Sequence, residues 1–302
     1  LRARTRNPVN LGFFCHSPPA LNNAREARWR ERLRPYYQEL AIDPAAPVAS
    51  SNRTAFDVAT CEVVEETKPA VVSFHFGLPQ PRLLDRLKAG GFLVVSSATT
   101  VAEARWLEEH GVDAVIAQGY EAGGHRGMFL SDDLTADLAA QVGTFALLPQ
   151  IVDAVKVPVI AAGGVTDARG IAAAFTLGAA GVQIGSAYLR CPEAKISAPY
   201  RAALTSACGT TAVTNLMTSR PARAIVNRLM RELGPLSDEV PEFPLAAGAL
   251  APLRGKAEAI GSGDFSPMWA GQAASLGRTL PARELTRRLA SEALARMRAM
   301  GG

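Results

Sequence analysis

A glycine-rich turn carries the side chains of this sequence that are best suited to chemistry. The segment GYEAGGHRG, residues 119–127, follows the apolar run VDAVIAQ and contains His125 and Arg126. Glycine allows a positive φ angle and a close approach of the backbone to a ligand, and histidine can hold or release a proton near neutral pH. The pattern predicts a bound cofactor with His125 beside it as the catalytic residue. Capping of the loop by this histidine is the alternative.

Two later segments end in short turns that suit a phosphate group. The runs VPVIAAGG and GVQIGSAYL place Gly163, Gly164, Gly185 and Ser186 directly after apolar stretches. Consecutive main-chain N–H groups in such turns can bind phosphate without a basic side chain. Plain packing turns are the alternative, but two such turns on consecutive predicted strands favour phosphate binding.

The elements that position these residues alternate between apolar runs and helices. Strands are predicted over residues 8–14, 70–76, 91–98, 112–119, 157–164 and 181–189. Helices are predicted between them, over 81–90, 100–111, 145–155 and 166–179. The strands are almost continuously apolar, as in a parallel sheet that is covered on both faces. Parallel α/β folds bind ligands at the carboxyl ends of their strands, so we expect the site there.

The number of strands decides between two fold classes. A closed TIM-type (β/α)8 barrel needs eight strands, and six are predicted here. We therefore expect either a barrel whose first two β/α units, about 60 residues, are absent from this chain, or an open doubly wound sheet. Residues 1–222 are predicted to form the α/β part. They contain an insertion at about 15–55 with a charged helix over 23–41, and residues 223–302 form a mostly helical segment that packs on them.

Composition and charge argue against several classes of function. The chain has 302 residues, a formal net charge of +4 and 6% aromatic residues, which does not indicate nucleic-acid binding. We expect no signal peptide and no transmembrane segment. The four cysteines, Cys15, Cys61, Cys191 and Cys208, form no CxxC pair and no zinc-type spacing. They predict reduced thiols in a cytoplasmic protein without a metal site.

Several longer segments carry a resemblance to a known family. The stretches IAQGYEAGGHRG, VIAAGGVTDARGIAAAFTLGAAGVQIGSAYL and SPMWAGQAASL resemble the nitronate monooxygenases, formerly called 2-nitropropane dioxygenases. VNLGFFCH and VVSFHFGLP resemble the bacterial class that oxidises alkyl nitronates, such as propionate 3-nitronate, with O₂. The resemblance implies a TIM-type barrel, bound FMN and a role in detoxifying nitronates.

The resemblance also implies roles for individual residues. His125 matches the catalytic histidine, and His75 matches a residue that faces the substrate, although a satisfied core histidine is an alternative there. Arg126 is a second candidate for substrate contact, with a plain surface position as the alternative. The FMN contacts implied are Asn10, Gln118, Ala122, Gly123, Gly163, Gly164, Gly185 and Ser186. The segment WAGQAAS, residues 269–275, has small residues at helical spacing, which predicts close helix packing, and Gln272 reaching the site is the alternative.

Three functions remain open from the sequence, two enzymatic and one non-enzymatic. The first is FMN-dependent oxidation of nitronates, in which His125 holds the anionic nitro group as an imidazolium or acts as a base on a neutral nitroalkane. The second is NAD(P)H-dependent reduction of enoyl thioesters or quinones by a flavin reductase of the same fold, although no additional nucleotide-binding fingerprint is present. The third is ligand binding by a flavin-free α/β protein.

Overall fold

Nine β-strands occur in the part of the chain that this computed structural model describes, which is residue 5 and residues 7–45, 53–131, 133–206 and 210–300. In chain order they are β1 (Asn10–Phe14), β2 (Val71–His75), β3 (Leu93–Ala98), β4 (Ala114–Gln118), β5 (Gly124–His125), β6 (Val159–Ala162), β7 (Gly181–Gln183), β8 (Thr211–Thr214) and β9 (Ala222–Ile225). Six of them correspond to the predicted strands. The sixth prediction is too long, because residues 186–189 are helical and the strand ends at Gln183.

The six predicted strands form one parallel sheet in the order β1-β2-β3-β4-β6-β7. Each strand therefore lies beside the next long strand of the chain. A doubly wound sheet reverses its strand order at a switch point, so the observed order favours barrel-type winding over that alternative. The register pairs Phe14 with His75 and Gln118 with Ala162, which brings the carboxyl ends of neighbouring strands to one edge.

Helices connect the strands and extend beyond the sheet. They are α1 (Asn23–Glu39), α2 (Val58–Thr67), α3 (Pro81–Ala89), α4 (Val101–Glu109), α5 (Leu134–Leu138), α6 (Thr144–Ala154), α7 (Ala168–Thr176), α8 (Ser186–Leu189), α9 (Ala198–Thr205), α10 (Arg228–Leu233), α11 (Ala246–Ala259) and α12 (Ala282–Met300). The four predicted crossover helices correspond to α3, α4, α6 and α7. The predicted charged helix corresponds to α1.

The largest core lies between the parallel sheet and its crossover helices. Val94 and Val115 of the strands pack there in one cluster with Leu87 and Leu107 of α3 and α4. Because side chains alternate along a strand, the neighbouring residues belong to the other face, where a smaller cluster contains Val95, Ile116 and Ala162. Both faces are thus apolar, which explains the continuous hydrophobic runs in the sequence.

A second core joins the predicted insertion to the C-terminal part of the chain. Trp29 and Leu33 of α1 pack with Leu250 and Leu253 of α11. The strands β5, β9 and β8 form a small antiparallel sheet beside it. The predicted boundary at residue 222 coincides with the first residue of β9. We call α1, α10, α11 and this small sheet the second layer.

The described cysteines form no disulfide bonds. Cys15, Cys61 and Cys191 are free thiols, and Cys208 lies outside the described residues. In the described ranges, none of the helices combines the length and the apolar composition needed to cross a bilayer. The same ranges contain no group of three or more acidic, histidine or cysteine side chains arranged to hold a metal ion.

Glu103 ties the start of α4 to the loop that follows the glycine-rich turn. It is 2% exposed, and one carboxylate oxygen accepts hydrogen bonds from Thr99 N, Thr99 Oγ1 and Thr100 N at 2.6, 2.7 and 3.2 Å. The other oxygen accepts from Phe129 N at 2.7 Å and Leu130 N at 3.4 Å. A single buried carboxylate thus satisfies donors of two loops at the carboxyl edge of the sheet.

The substitution Glu103→Gln is expected to lower the free energy of unfolding by about 3 kcal/mol, because it replaces an acceptor oxygen by an amide that faces buried donors. Urea denaturation measures the effect. Glu109→Gln, at an exposed position of the same helix, is the control and should change stability by less than about 0.5 kcal/mol. Equal stability of both variants would show that the bonds of Glu103 contribute nothing.

Candidate functional site

His125 lies at the carboxyl edge of the parallel sheet, in the turn that follows β4. It belongs to β5, in which it pairs with Ala222 of β9. The side chain is 8% exposed. Four aromatic rings surround the imidazole at centroid distances of 5.4–5.8 Å: Phe14, Phe76, Phe243 and Trp269. These rings form an apolar enclosure around the predicted catalytic residue.

The main chain of His125 is held by two side chains from neighbouring strand ends. Its carbonyl oxygen accepts hydrogen bonds from Gln118 Nε2 at 2.9 Å and from His75 Nε2 at 3.0 Å. The other end of the Gln118 amide accepts from Gly127 N at 2.8 Å. Gln118 therefore fixes both the beginning and the end of the HRG segment.

The ring of His75 is also fixed. Because a carbonyl oxygen only accepts, Nε2 of His75 carries the hydrogen that is donated to His125. Nδ1 lies 3.1 Å from Ser97 Oγ and accepts from that hydroxyl. Both ring nitrogens are occupied within the protein, which favours the core-histidine interpretation over the predicted substrate contact.

Arg126 does not occupy the position that was predicted for it. It is 1% exposed, and its guanidinium donates to Gly119 O at 2.6 Å and to Gln118 O at 2.8 Å. It also donates to Gln141 Oε1 at 2.8 Å. The side chain is therefore neither at the surface nor open to a ligand, and it stabilises the backbone of the turn.

Asn10 is separated from the other predicted FMN contacts. It is the first residue of β1 and pairs with Val71, the first residue of β2. It thus lies at the amino edge of the sheet, about 13 Å from the carboxyl edge at ~3.3 Å per residue. The predicted FMN contact of Asn10 does not fit this position, and we remove it from the site.

The remaining predicted FMN contacts meet around one cavity of about 220 Å³ beside the glycine-rich turn. They are Gln118, Ala122, Gly123, Gly163, Gly164, Gly185 and Ser186. The main-chain N–H groups of Gly163, Gly164 and Gly185 have no hydrogen-bond acceptor among the described residues. A Cβ atom added at Gly185 would meet no atom within 4 Å. Unpaired main-chain donors beside open space suit a phosphate group.

The segment around Gly271 completes this cavity, which Trp269, Gly271 and Ala273 also line. Gly271 N donates to Ser186 Oγ at 2.9 Å, and a Cβ atom at Gly123 would lie 2.4 Å from Gly271 N. Trp269 forms an isolated β-bridge with Ala224. The predicted helical packing is therefore wrong at this point: the small residues permit close contact between two loops.

Burial determines the charge state of both histidines. It lowers the pKa of His75 to about 4. It lowers the pKa of His125 well below its usual value, and the nearby His75, Arg53 and Arg220 lower it further. Both rings are therefore neutral at neutral pH, so the imidazolium that was considered from the sequence is not the resting form of His125.

Acid should destabilise the protein through these histidines. A ring with a depressed pKa in the folded state binds its proton more readily when unfolded, so its stabilisation is complete above pH ~6.5 and is lost as the pH falls towards the folded pKa. For His75 this window extends from about pH 6.5 to about 4. Each such group changes the free energy of unfolding by at most about 1.4 kcal/mol per pH unit.

The variant His75→Gln tests this expectation, because it is neutral at every pH. Between pH 7 and pH 5 its free energy of unfolding should fall less steeply than that of the wild type. His110→Gln is the control, since His110 is an exposed residue at the end of α4. If the free energy of unfolding of His75→Gln fell with pH as steeply as that of the wild type, this would contradict the neutral, buried state of His75.

Two arginines add positive charge to the enclosure of His125. The Arg220 guanidinium lies 4.0 Å from the centre of the Phe76 ring and donates to Met128 O. The Arg53 guanidinium lies 6.0 Å from the centre of the Phe14 ring. Neither was predicted, because both are distant in sequence from the glycine-rich turn. An anionic ligand beside His125 would be attracted by both.

Known proteins of one family are similar to this chain over most of its length. The family described as nitronate monooxygenase matches residues 1–292. A nitronate monooxygenase of Paraburkholderia phytofirmans is 42% identical over 296 residues, covering 96% of this chain and 79% of the relative. One of Pseudomonas aeruginosa is 41% identical over 297 residues, covering 97% and 83%.

A solved structure is similar over almost the whole chain. The nitroalkane oxidase of Streptomyces ansochromogenes superimposes with a TM-score of 0.88 at 35% identity, covering 99% of this chain and 84% of the other. The family resemblance of the sequence segments is thereby confirmed. The chain belongs to the nitronate monooxygenase family of flavin-dependent oxidoreductases.

Proposed function

We propose that this protein oxidises alkyl nitronates with O₂ in an FMN-dependent reaction, and so detoxifies compounds such as propionate 3-nitronate. The observation that carries the proposal is the adjacency of two features at one edge of the sheet. One is a cavity with unpaired main-chain donors, and the other is a neutral histidine enclosed by aromatic rings. Family membership supplies the reaction class.

The residues around the cavity fit FMN. The unpaired N–H groups of Gly163, Gly164 and Gly185 would hold the phosphate, and the absence of side chains there allows close approach of the backbone. Ala122 and Gly123 would line the flavin together with Gln118. When bound, FMN supplies the redox chemistry that takes electrons from the nitronate and passes them to oxygen.

The chain's own residues would bind and orient the substrate. Neutral His125 has one ring N–H, which can donate to an anionic nitro oxygen. In the other tautomer the same nitrogen carries no hydrogen and can accept a proton from a neutral nitroalkane. Phe14, Phe76 and Phe243 exclude water, which strengthens such a polar interaction. Arg53 and Arg220 make the surroundings favourable for an anion.

We also propose that the sheet is part of a TIM-type (β/α)8 barrel. The strand order follows the chain, and the crossover helices cover one face, as in a barrel wall. The second layer, which contains α1, α10 and α11, would pack on the carboxyl edge and contribute Phe243 to the site. The free thiols support a cytoplasmic location.

A flavin reductase that uses NAD(P)H is the alternative within the same fold. The two functions differ in the electron donor, so anaerobic reduction of the bound flavin separates them. We expect purified protein to be yellow and to be bleached by propionate 3-nitronate but not by NADH or NADPH. Rapid bleaching by NAD(P)H alone would support the reductase, and colourless protein that binds no added FMN would support the flavin-free alternative.

A further inference from the structure

The imidazole of His125 has one side-chain hydrogen-bond partner among the described residues, the hydroxyl of Thr218. Thr218 Oγ1 lies 2.8 Å from Nε2 of His125. Thr218 is 3% exposed, and it is separated from His125 by 93 positions in the sequence. It follows β8 and precedes β9 in the small antiparallel sheet, so the second layer of the fold supplies this contact.

The direction of this hydrogen bond follows from the surroundings of the hydroxyl. A buried O–H group without an acceptor costs free energy. Among the described residues, His125 Nε2 is the acceptor within reach of Thr218 Oγ1, and no other is found. The threonine hydroxyl therefore donates, and Nε2 accepts through its lone pair. In a neutral imidazole the hydrogen then lies on Nδ1.

We propose that Thr218 is a positioning residue that holds His125 in the tautomer with hydrogen on Nδ1 and thereby favours anionic nitronates over neutral nitroalkanes. In this tautomer the nitrogen that remains for a ligand is a hydrogen-bond donor, which suits an anionic nitro oxygen. Removal of a proton from carbon would need the other tautomer, with Nδ1 free to accept. The preference for the anion rests on the proposed function, whereas the tautomer itself does not.

The burial of the ring is consistent with this role. The pKa of His125 lies well below its usual value, so the ring is neutral and carries one hydrogen, either on Nδ1 or on Nε2. One hydrogen bond can therefore decide which nitrogen carries it. His75 shows the opposite arrangement, because its Nε2 donates to the carbonyl oxygen of His125. The two histidines thus provide an internal comparison.

Nitrogen NMR of the purified flavoprotein tests the tautomer directly. The chain has four histidines, and ¹⁵N labelling of histidine with long-range proton correlation distinguishes protonated from unprotonated ring nitrogens. His125→Gln and His75→Gln assign the two signals by their loss. We expect Nε2 of His125 and Nδ1 of His75 to be the unprotonated atoms. A hydrogen on Nε2 of His125 in the wild type would overturn the proposal.

Two variants of Thr218 test the consequence for substrate choice. Thr218→Val removes the hydroxyl at similar size, and Thr218→Ser keeps it. We expect the KM for propionate 3-nitronate to rise about 10-fold in the valine variant, because one hydrogen bond is lost. The kcat/KM for neutral nitroethane should be unchanged or raised. The serine variant should stay within about twofold of the wild type for both substrates.

The ratio of the two kcat/KM values, nitronate over nitroalkane, is the readout that a merely structural effect would not move. An unchanged ratio in Thr218→Val, with wild-type circular dichroism, would overturn the role in substrate choice. A wild-type protein that turns over no nitronate would instead contradict the proposed function, and the NMR result would still decide the tautomer.

Discussion

Replacing His125 by alanine is expected to lower kcat/KM for a preformed nitronate by about 10²–10³-fold, the usual effect of removing one positioned donor from a site that excludes water. With a neutral nitroalkane the loss is expected to reach 10²–10⁴-fold, because a positioned base is lost as well. The flavin should stay bound, since His125 is not among the residues that line the cavity. Anaerobic flavin reduction with both substrate forms measures these effects.

The variant His125→Gln separates the two roles of this side chain. Glutamine keeps an N–H donor but cannot take up a proton at these pH values. We expect it to restore nitronate oxidation to within about 10-fold of the wild type and to leave nitroalkane oxidation as low as in the alanine variant. Equal flavin reduction by wild type and alanine variant would remove His125 from the mechanism.

Gly185→Val is expected to give a folded protein without flavin. A Cβ atom at Gly185 meets nothing within 4 Å, so the valine enters open space rather than the core, and the fold does not have to adjust. The side chain then occupies the place where the phosphate would approach the backbone. Flavin absorbance per protein should fall to the background, and circular dichroism and unfolding by urea should match the wild type.

The choice of position matters for this experiment. At Gly163 the backbone has φ 102° and a Cβ atom would lie 3.0 Å from Ala122 N, so a variant there would strain the backbone and its effect on the cofactor could not be separated from that strain. Gly255→Val is the matched control, because a Cβ atom at this exposed position of α11 also meets nothing within 4 Å. It should keep its flavin. Full flavin retention in Gly185→Val would place the phosphate elsewhere.

Local patterns predicted the six strands of the parallel sheet, the four crossover helices and much of the cavity, but not β5, β8 or β9. A buried parallel strand is apolar on both faces, so its position is visible in a single stretch of sequence. The strand Val159–Ala162 and the turn with Gly163 and Gly164 are adjacent in the chain. Gln118 is the last residue of β4 and directly precedes the glycine-rich turn. These residues meet at one edge because parallel strands align their carboxyl ends.

The resemblance was a poor guide at one position of the sheet. It implies an FMN contact for Asn10, but β1 begins at Asn10 and continues to Phe14. A difference of four residues moves a side chain from one edge of the sheet to the other. Arg126 was misjudged for another reason, because its acceptors are main-chain carbonyls that the turn exposes only when folded.

The six strands of the parallel sheet, the four crossover helices and the family resemblance could be predicted from the sequence, and the phosphate-binding turns stay a prediction. These features depend on residues that are close together in the chain. The contacts of the His125 side chain, in contrast, depend on how distant segments pack together. Phe14, Thr218 and Phe243 come from three distant segments, and they meet because the second layer packs over the carboxyl edge of the sheet. Burial then sets the charge of the ring and one hydroxyl sets its tautomer, and neither effect leaves a pattern in the local sequence.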